Sequence, residues 1–237
     1  IEARIAESVF DVTKIEQILL SHEDVSPMPT LKTVPYVDAR ATATTSALMD
    51  MPSEDQAKIV AETTRRVAKS AAYPPAPEIT KPSGYINTEG KPITFGEFKG
   101  KKVVLVDFWT YSCINCQRTL PYLKAWYDKY HDQGLEIIAI HTPEFAFERL
   151  ESNVEKAVQG FGLKYPSVLD NDYGTWGAFA NSYWPRKYLI DIDGYILYDH
   201  AGEGAYAETE TAIQAALIER ARGLGLEVPV FDGTVNP

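Results

Sequence analysis

The 237 residues carry a formal net charge of −10 and are 45% hydrophobic, enough apolar side chains for a full core. The acidic balance argues against nucleic acid as a partner, and the absence of any run of 18 apolar residues argues against a membrane span. Two cysteines, both in one C-x-x-C, leave no second pair for a structural disulfide or a zinc site, and His22, His131, His141 and His200 are scattered without metal spacing.

Residues 1–24 place Ile1, Ile5, Val9, Val12, Ile15 and Leu19 on one stripe, which predicts a helix. Pro27, Pro29, Pro35 and Pro52 mark 25–52 as loop. A second helix is expected over 53–71, with Ser53 as N-cap and Gln56 three residues on. Residues 1–74 show no chemistry and read as a helical N-terminal arm or tether. The chain starts at Ile1 rather than Met, so the expectation is that a leader or anchor preceded it. Pro74-Pro75-Ala76-Pro77 is stiff and extended, and sets a boundary between the arm and a domain over 75–225, followed by a tail over 226–237.

Within the domain, Gly84–Asn87 and Lys91–Thr94 flank Thr88-Glu89-Gly90, which predicts a hairpin. A helical turn at Thr94–Phe98 precedes Val103-Val104-Leu105-Val106, a β-branched run too short for a helix and read as a buried strand. Leu120, Leu123, Tyr127 and Tyr130 then recur at helical spacing, and Gly134 ends that helix. Leu135–His141 reads as strand, Pro143–Phe147 as loop, and 148–161 as a helix with Leu150, Val154, Ala157 and Phe161 inward. Pro166–Leu169 is a short strand and Tyr173–Ala180 a short helix. Lys187–Ile192, the turn Asp193-Gly194 and Tyr195–Ala201 form a second hairpin, and 206–224 forms the last helix with Ala212, Ile213, Ala216 and Leu217 inward. The order β-α-β-α-β-α-β-β-α implies an α/β fold with parallel crossovers followed by an antiparallel hairpin.

The chemistry is concentrated in Cys113-Ile114-Asn115-Cys116, at the junction of the main strand and its helix. A sulfur there lies near unpaired backbone N–H groups and the positive end of the helix dipole, and both favour thiolate. The second sulfur, one turn on, can close on the first. A carboxylate at Asp107, inside an apolar strand, should have a raised pKa and can accept a proton.

These features resemble the thioredoxin fold. Asp107-Phe108-Trp109 ends the strand six residues before Cys113, Pro121 lies five after Cys116, and Pro185 precedes a strand where thioredoxins have a cis-proline facing the dithiol. The 69 residues from Cys116 to Pro185 leave room for the extra β-α insert of TlpA-like redoxins. FWTYSCINCQRTLP, HTPEF, YWPRKYLID and Gly202-Glu203-Gly204 are similar to the thioredoxin-like domain of DipZ-type proteins, over about Ala76 to Leu224. Ser112, Ile114-Asn115 and Thr119 depart from the thioredoxin and TlpA-like patterns, so potential and thiol pKa do not carry over.

The resemblance implies a thiol-disulfide oxidoreductase with no cofactor beyond a redox-active Cys113–Cys116 disulfide, no metal, and extracytoplasmic protein disulfides as substrates. It further implies a CcdA/DsbD-like membrane electron donor, with tethering through a missing N-terminal segment. Cys113 is expected as the nucleophile, Cys116 as the resolving thiol and Asp107 as its base. Trp184 and Pro185 are expected to wall the dithiol, the Trp184 backbone pairing with an extended substrate. Trp109 reads equally as a shield for the sulfurs or as core, and Glu144 equally as a partner-binding or a solvated acid. Tyr183, Phe145 and Phe147 read as a docking rim or as cover for the inserted helix. Two other readings stay open. Thr110-x-x-Cys113 with Arg186 partly matches a thiol peroxidase, although Val106 stands where that motif has proline. A metal or cytochrome-assembly module would use the same dithiol.

Overall fold

The computed structural model describes residues 53–237, so the helix and loop expected over 1–24 and 25–52 lie outside it. The sheet and the dithiol belong to the unit Ala61–Pro237. The apolar run forms β2, Val103–Trp109, buried at every position. It is central in a six-stranded sheet of order β1-β4-β3-β2-β5-β6. The other strands are β1 (Gly84–Ile86), β3 (Leu135–His141), β4 (Ser167–Leu169), β5 (Arg186–Ile190) and β6 (Ile196–Ala201). β3 pairs with β2 and β4 with β3 in parallel, while β5 on β2, β6 on β5 and β1 on β4 are antiparallel. The helices are α1 (Ser53–Ala72), α2 (Ile114–Tyr130), α3 (Glu151–Phe161), α4 (Gly174–Ala178) and α5 (Tyr206–Leu224). This is the α/β thioredoxin fold, a six-stranded mixed sheet flanked by helices.

Successive side chains of a strand point to opposite faces. Val103, Leu105 and Trp109 therefore meet Leu120, Leu123 and Trp126 of α2, Val154 and Val158 of α3, and Ile213 and Leu217 of α5. Val104, Val106 and Phe108 pack on the other face against Phe95, Phe179 and Tyr188. Each such side chain contributes about 1.5–3 kcal/mol on burial. The layer between β2 and α2 is thus dry, and a polar group placed in it loses its water.

Two expectations are corrected. The hairpin over 84–94 does not form: Gly84, Tyr85 and Ile86 pair with Leu169, Val168 and Ser167, and 91–94 is not a strand. Pro92 has no N–H to give a ladder, and the Asn87 side chain donates to the carbonyls of Leu163 and Tyr165, turning the chain toward β4. Leu150 is 58% exposed rather than inward, because 146–149 form a separate 3-10 turn and α3 starts only at Glu151. Val154 and Val158 carry the buried face instead.

The tail has no helix or strand, yet it is fastened. The Val235 N–H donates to the buried Glu210 carboxylate at 2.7 Å, beside the Trp126 indole N–H and the Tyr130 hydroxyl. Lys69, near the end of α1, donates to Asp191 at 2.5 Å and to Asp193 at 3.1 Å and pairs with Glu219. Arg65 bridges Asp193 and Glu219 at 2.6 Å each. Burial alone would lower the pKa of Lys69, but Glu219 and Asp191 outweigh it and raise it. The anchor lies at the end of the sheet opposite the dithiol, since Ile190 faces Val104 at the start of β2.

Candidate active site

β2 delivers Asp107, Phe108 and Trp109, then a short loop leads to Cys113, the N-cap of α2. Cys113 has an extended backbone (φ −70°, ψ 116°), and its Sγ accepts the Cys116 N–H at 3.4 Å. One orphan donor of the helix start is thereby satisfied by sulfur, a contact that strengthens when the sulfur is anionic. Cys113 is half-buried and Cys116 fully buried, and both are thiols. Burial pushes the Cys116 thiol strongly upward, and its bond with Cys113 adds to that. Cys116 therefore needs a base to react.

Asp107 is buried beneath the pair, with Oδ1 lacking a hydrogen-bond partner. Desolvation raises its pKa from 3.8 to about 7, against the pull of the Lys187 charge. Lys187 faces Asp107 across the β2–β5 ladder and is itself fully buried, its ammonium donating to the Gly202 carbonyl at 3.4 Å. Burial lowers its pKa and Asp107 resists that fall. Each charge thus makes the other tolerable in a dry layer.

Pro185 follows Trp184 through a cis peptide bond and is buried, as the resemblance implies. Because Arg186 pairs with Phe108, Pro185 lies at the end of β2 from which the cysteine loop departs. Trp184 is half-buried, its ring 4.2 Å from Trp176 and its indole N–H on the Thr142 carbonyl at 3.0 Å. Trp109 is fully buried and packed with Cys116, so it is core and offers no surface to a substrate. Tyr183, Phe145 and Phe147 are each about half exposed, and Ile114, next to Cys113, is 57% exposed. Glu144 is exposed, and its backbone N–H donates to Glu148.

Three further residues enter the site that sequence reasoning missed. Lys187 is one. The available signal was a lysine inside the strand that follows Pro185-Arg186, leading directly into Tyr188-Leu189-Ile190. His141, at the end of β3, is buried and held neutral, its pKa lowered by burial to about 4. Its Nε2 meets the Tyr111 N–H at 3.4 Å and the Thr110 hydroxyl at 3.3 Å, and its ring stacks on Tyr111. Glu148 is the third, a fully buried carboxylate bonded to Ser112. Its place three residues after Phe145 resembles an ordinary helix start, which hid it.

A reachable sulfur capping a helix, a buried sulfur one turn behind and an acid beneath them make up a dithiol site on a thioredoxin-type sheet. The chain belongs to the redoxin family, whose model matches residues 71–217. It is 46% identical to protein DipZ of Mycobacterium tuberculosis over 155 residues, which is 65% of this chain and 22% of that protein. The chain thus covers less than a quarter of that relative. Thiol-disulfide oxidoreductase ResA of Bacillus thuringiensis is 34% identical over 122 residues, 52% of this chain and 67% of ResA. Thiol-disulfide oxidoreductase YkuV of Bacillus subtilis is 28% identical over 145 residues, 61% and 95% of the two chains. The solution structure of a thioredoxin-like protein in the oxidised form matches with a TM-score of 0.56 at 26% identity, covering 62% of this chain and 97% of that one.

Proposed function

We propose that the chain reduces disulfides of extracytoplasmic proteins and is itself re-reduced by a CcdA/DsbD-like membrane dithiol donor. The observation that carries this is the stacking of three groups in order of burial: Cys113 at the rim, Cys116 one turn behind, Asp107 beneath with a pKa near neutrality. The Cys113 thiolate attacks one sulfur of a substrate disulfide, forming a mixed disulfide and expelling the other sulfur as thiolate. Asp107 takes the Cys116 proton. The Cys116 thiolate attacks the Cys113 sulfur, the internal disulfide forms, and the second substrate sulfur leaves. Two electrons pass from the dithiol to the substrate. Exposed Tyr183, Phe145 and Phe147, with Glu144, form the rim against which a partner chain docks, and Trp184 with Pro185 closes one side. Residues 1–74 act as arm or tether to the domain over 75–225. The support for the membrane donor and the extracytoplasmic setting is the similarity to DipZ. No described helix is long and apolar enough to cross a membrane.

The test is reduction of insulin disulfides by dithiothreitol with substoichiometric protein as catalyst. Wild type should turn over, Cys113→Ser should be inactive, and Cys116→Ser should accumulate a mixed disulfide. Peroxide consumption that survives Cys116→Ser, without insulin reduction, would overturn the proposal in favour of a peroxidase. That alternative has little support here, because Arg186 is engaged by Asp199 at 2.5 Å and the Thr110 hydroxyl meets His141.

A further inference from the structure

Glu148 has no part in the steps above, yet it is fully buried within the loop next to the dithiol. Its two oxygens serve different loops. Oε1 accepts the Ser112 hydroxyl at 2.5 Å and the Ser112 N–H at 3.4 Å. Oε2 accepts the N–H groups of Glu144 at 2.6 Å and Phe145 at 2.8 Å. Ser112 immediately precedes Cys113, so this carboxylate ties the turn carrying the reactive sulfur to the end of β3. The neighbours of Ser112 are fastened as well. His141 holds Thr110 and the Tyr111 N–H, the Tyr111 hydroxyl donates to the Phe147 carbonyl at 3.3 Å, and Gln117 donates to the Tyr111 carbonyl at 2.8 Å.

Burial by itself would raise the Glu148 pKa, but bonds from the Ser112 and Thr110 side chains and from the Phe145 and Glu144 N–H groups overcome it and lower it. The group is therefore an anion at neutral pH, bonded to Ser112, the residue before the one whose sulfur must carry negative charge in the reactive dithiol. An anion partly closed off from water repels a second one more strongly than it would in bulk water. The disulfide carries no charge and is not repelled.

We propose that Glu148 is a positioning residue that braces the Cys113 turn through Ser112 and, by its charge, biases the couple toward the disulfide, making the dithiol a stronger reductant. The proposal rests on Cys113–Cys116 being the working couple. The wild-type couple is measured first: loss of that couple tells against the function, whereas an unmoved couple in the variants tells against Glu148. The experiment is equilibration of wild type, Glu148→Gln, Glu148→Asp and Ser112→Ala with glutathione redox buffers, alongside the rate of Cys113 alkylation at pH 7. Glu148→Gln should shift the equilibrium at least about threefold toward the dithiol, or about 14 mV at 29.6 mV per tenfold change. Its alkylation should quicken by a similar factor. Glu148→Asp keeps the charge and should return toward wild type. Ser112→Ala removes a donor that offsets the carboxylate charge, so its equilibrium should move the other way, toward the disulfide. A structural prop alone would lower the melting temperature of Glu148→Gln and leave its equilibrium and alkylation rate unchanged, and that result overturns the proposal. Should Glu148→Gln fail to fold, Ser112→Ala decides: a shift toward the dithiol, or none, overturns it equally.

Discussion

Replacing Lys187 by methionine keeps a long buried side chain and removes its charge, with little change in volume. Lys187 faces Asp107 on neighbouring strands. For facing side chains on paired strands a charge separation of roughly 6 Å is reasonable, and at an effective dielectric of about 20 the attraction is about 2.8 kcal/mol. At 1.36 kcal/mol per unit that is about two pH units. Asp107, at about 7 in the wild type, should then titrate about two units higher in the variant. Near pH 7 the ionised fraction falls from about a half to about one in a hundred, so release of the mixed disulfide by Cys116 should slow by up to about 50-fold. Attack by Cys113 should not slow, because Asp107 serves the second step only. The assay is single-turnover reduction of a fluorescent peptide disulfide from pH 5 to 10, with the Asp107 carboxyl followed by carbon-13 NMR. A release step whose pH midpoint stays at the wild-type value in Lys187→Met would refute the reasoning, since the pair would then not be coupled.

Asp107 also makes stability depend on pH. Its folded pKa of about 7 exceeds the ordinary 3.8, so the folded state binds the proton more tightly. The favourable contribution is complete below about pH 4 and is lost as pH rises to about 7, a span worth about 4 kcal/mol. Urea unfolding of Asp107→Asn should lack this loss; a wild-type slope retained in the variant would rule Asp107 out as its source. Lys69→Met leaves Asp191, Asp193 and Glu219 together without their buried ammonium. Loss of about 3–5 kcal/mol is expected, with faster amide exchange over 61–72, and an unchanged melting temperature would contradict the anchor. At Gly174 an added Cβ would lie 2.3 Å from the Thr80 carbonyl oxygen, which is backbone and cannot swing aside. Gly174→Ala should cost about 1–3 kcal/mol, read as a lower melting temperature with insulin reduction retained at 25 °C.

Whatever depends on neighbours along the chain is legible in the amino-acid sequence. The β2 run, the 135–141 strand and the 206–224 helix are written in local periodicity, and their observed bounds agree closely. The dithiol belongs to the same class, because a three-residue spacing at a helix start brings two sulfurs together whatever the rest of the molecule does. Pairing between distant segments is not legible in this way. Gly84–Ile86 chose β4 over its neighbour in sequence, since a ladder forms wherever unpaired N–H and carbonyl groups meet and Pro92 offers none. Lys187 reaches Asp107 only through the register of β5 on β2, and one step of slip would turn it to the opposite face. Glu148 finds Ser112 across 36 residues because β3 lies parallel beside β2, so both strands end at the same edge and their loops meet. Composition and spacing decided which atoms can exchange electrons. The depth of Asp107, Lys187 and Glu148 in a dry interior, which sets how readily those atoms react, was decided by the packing of sheet against helices, because desolvation depends on what surrounds a group in space.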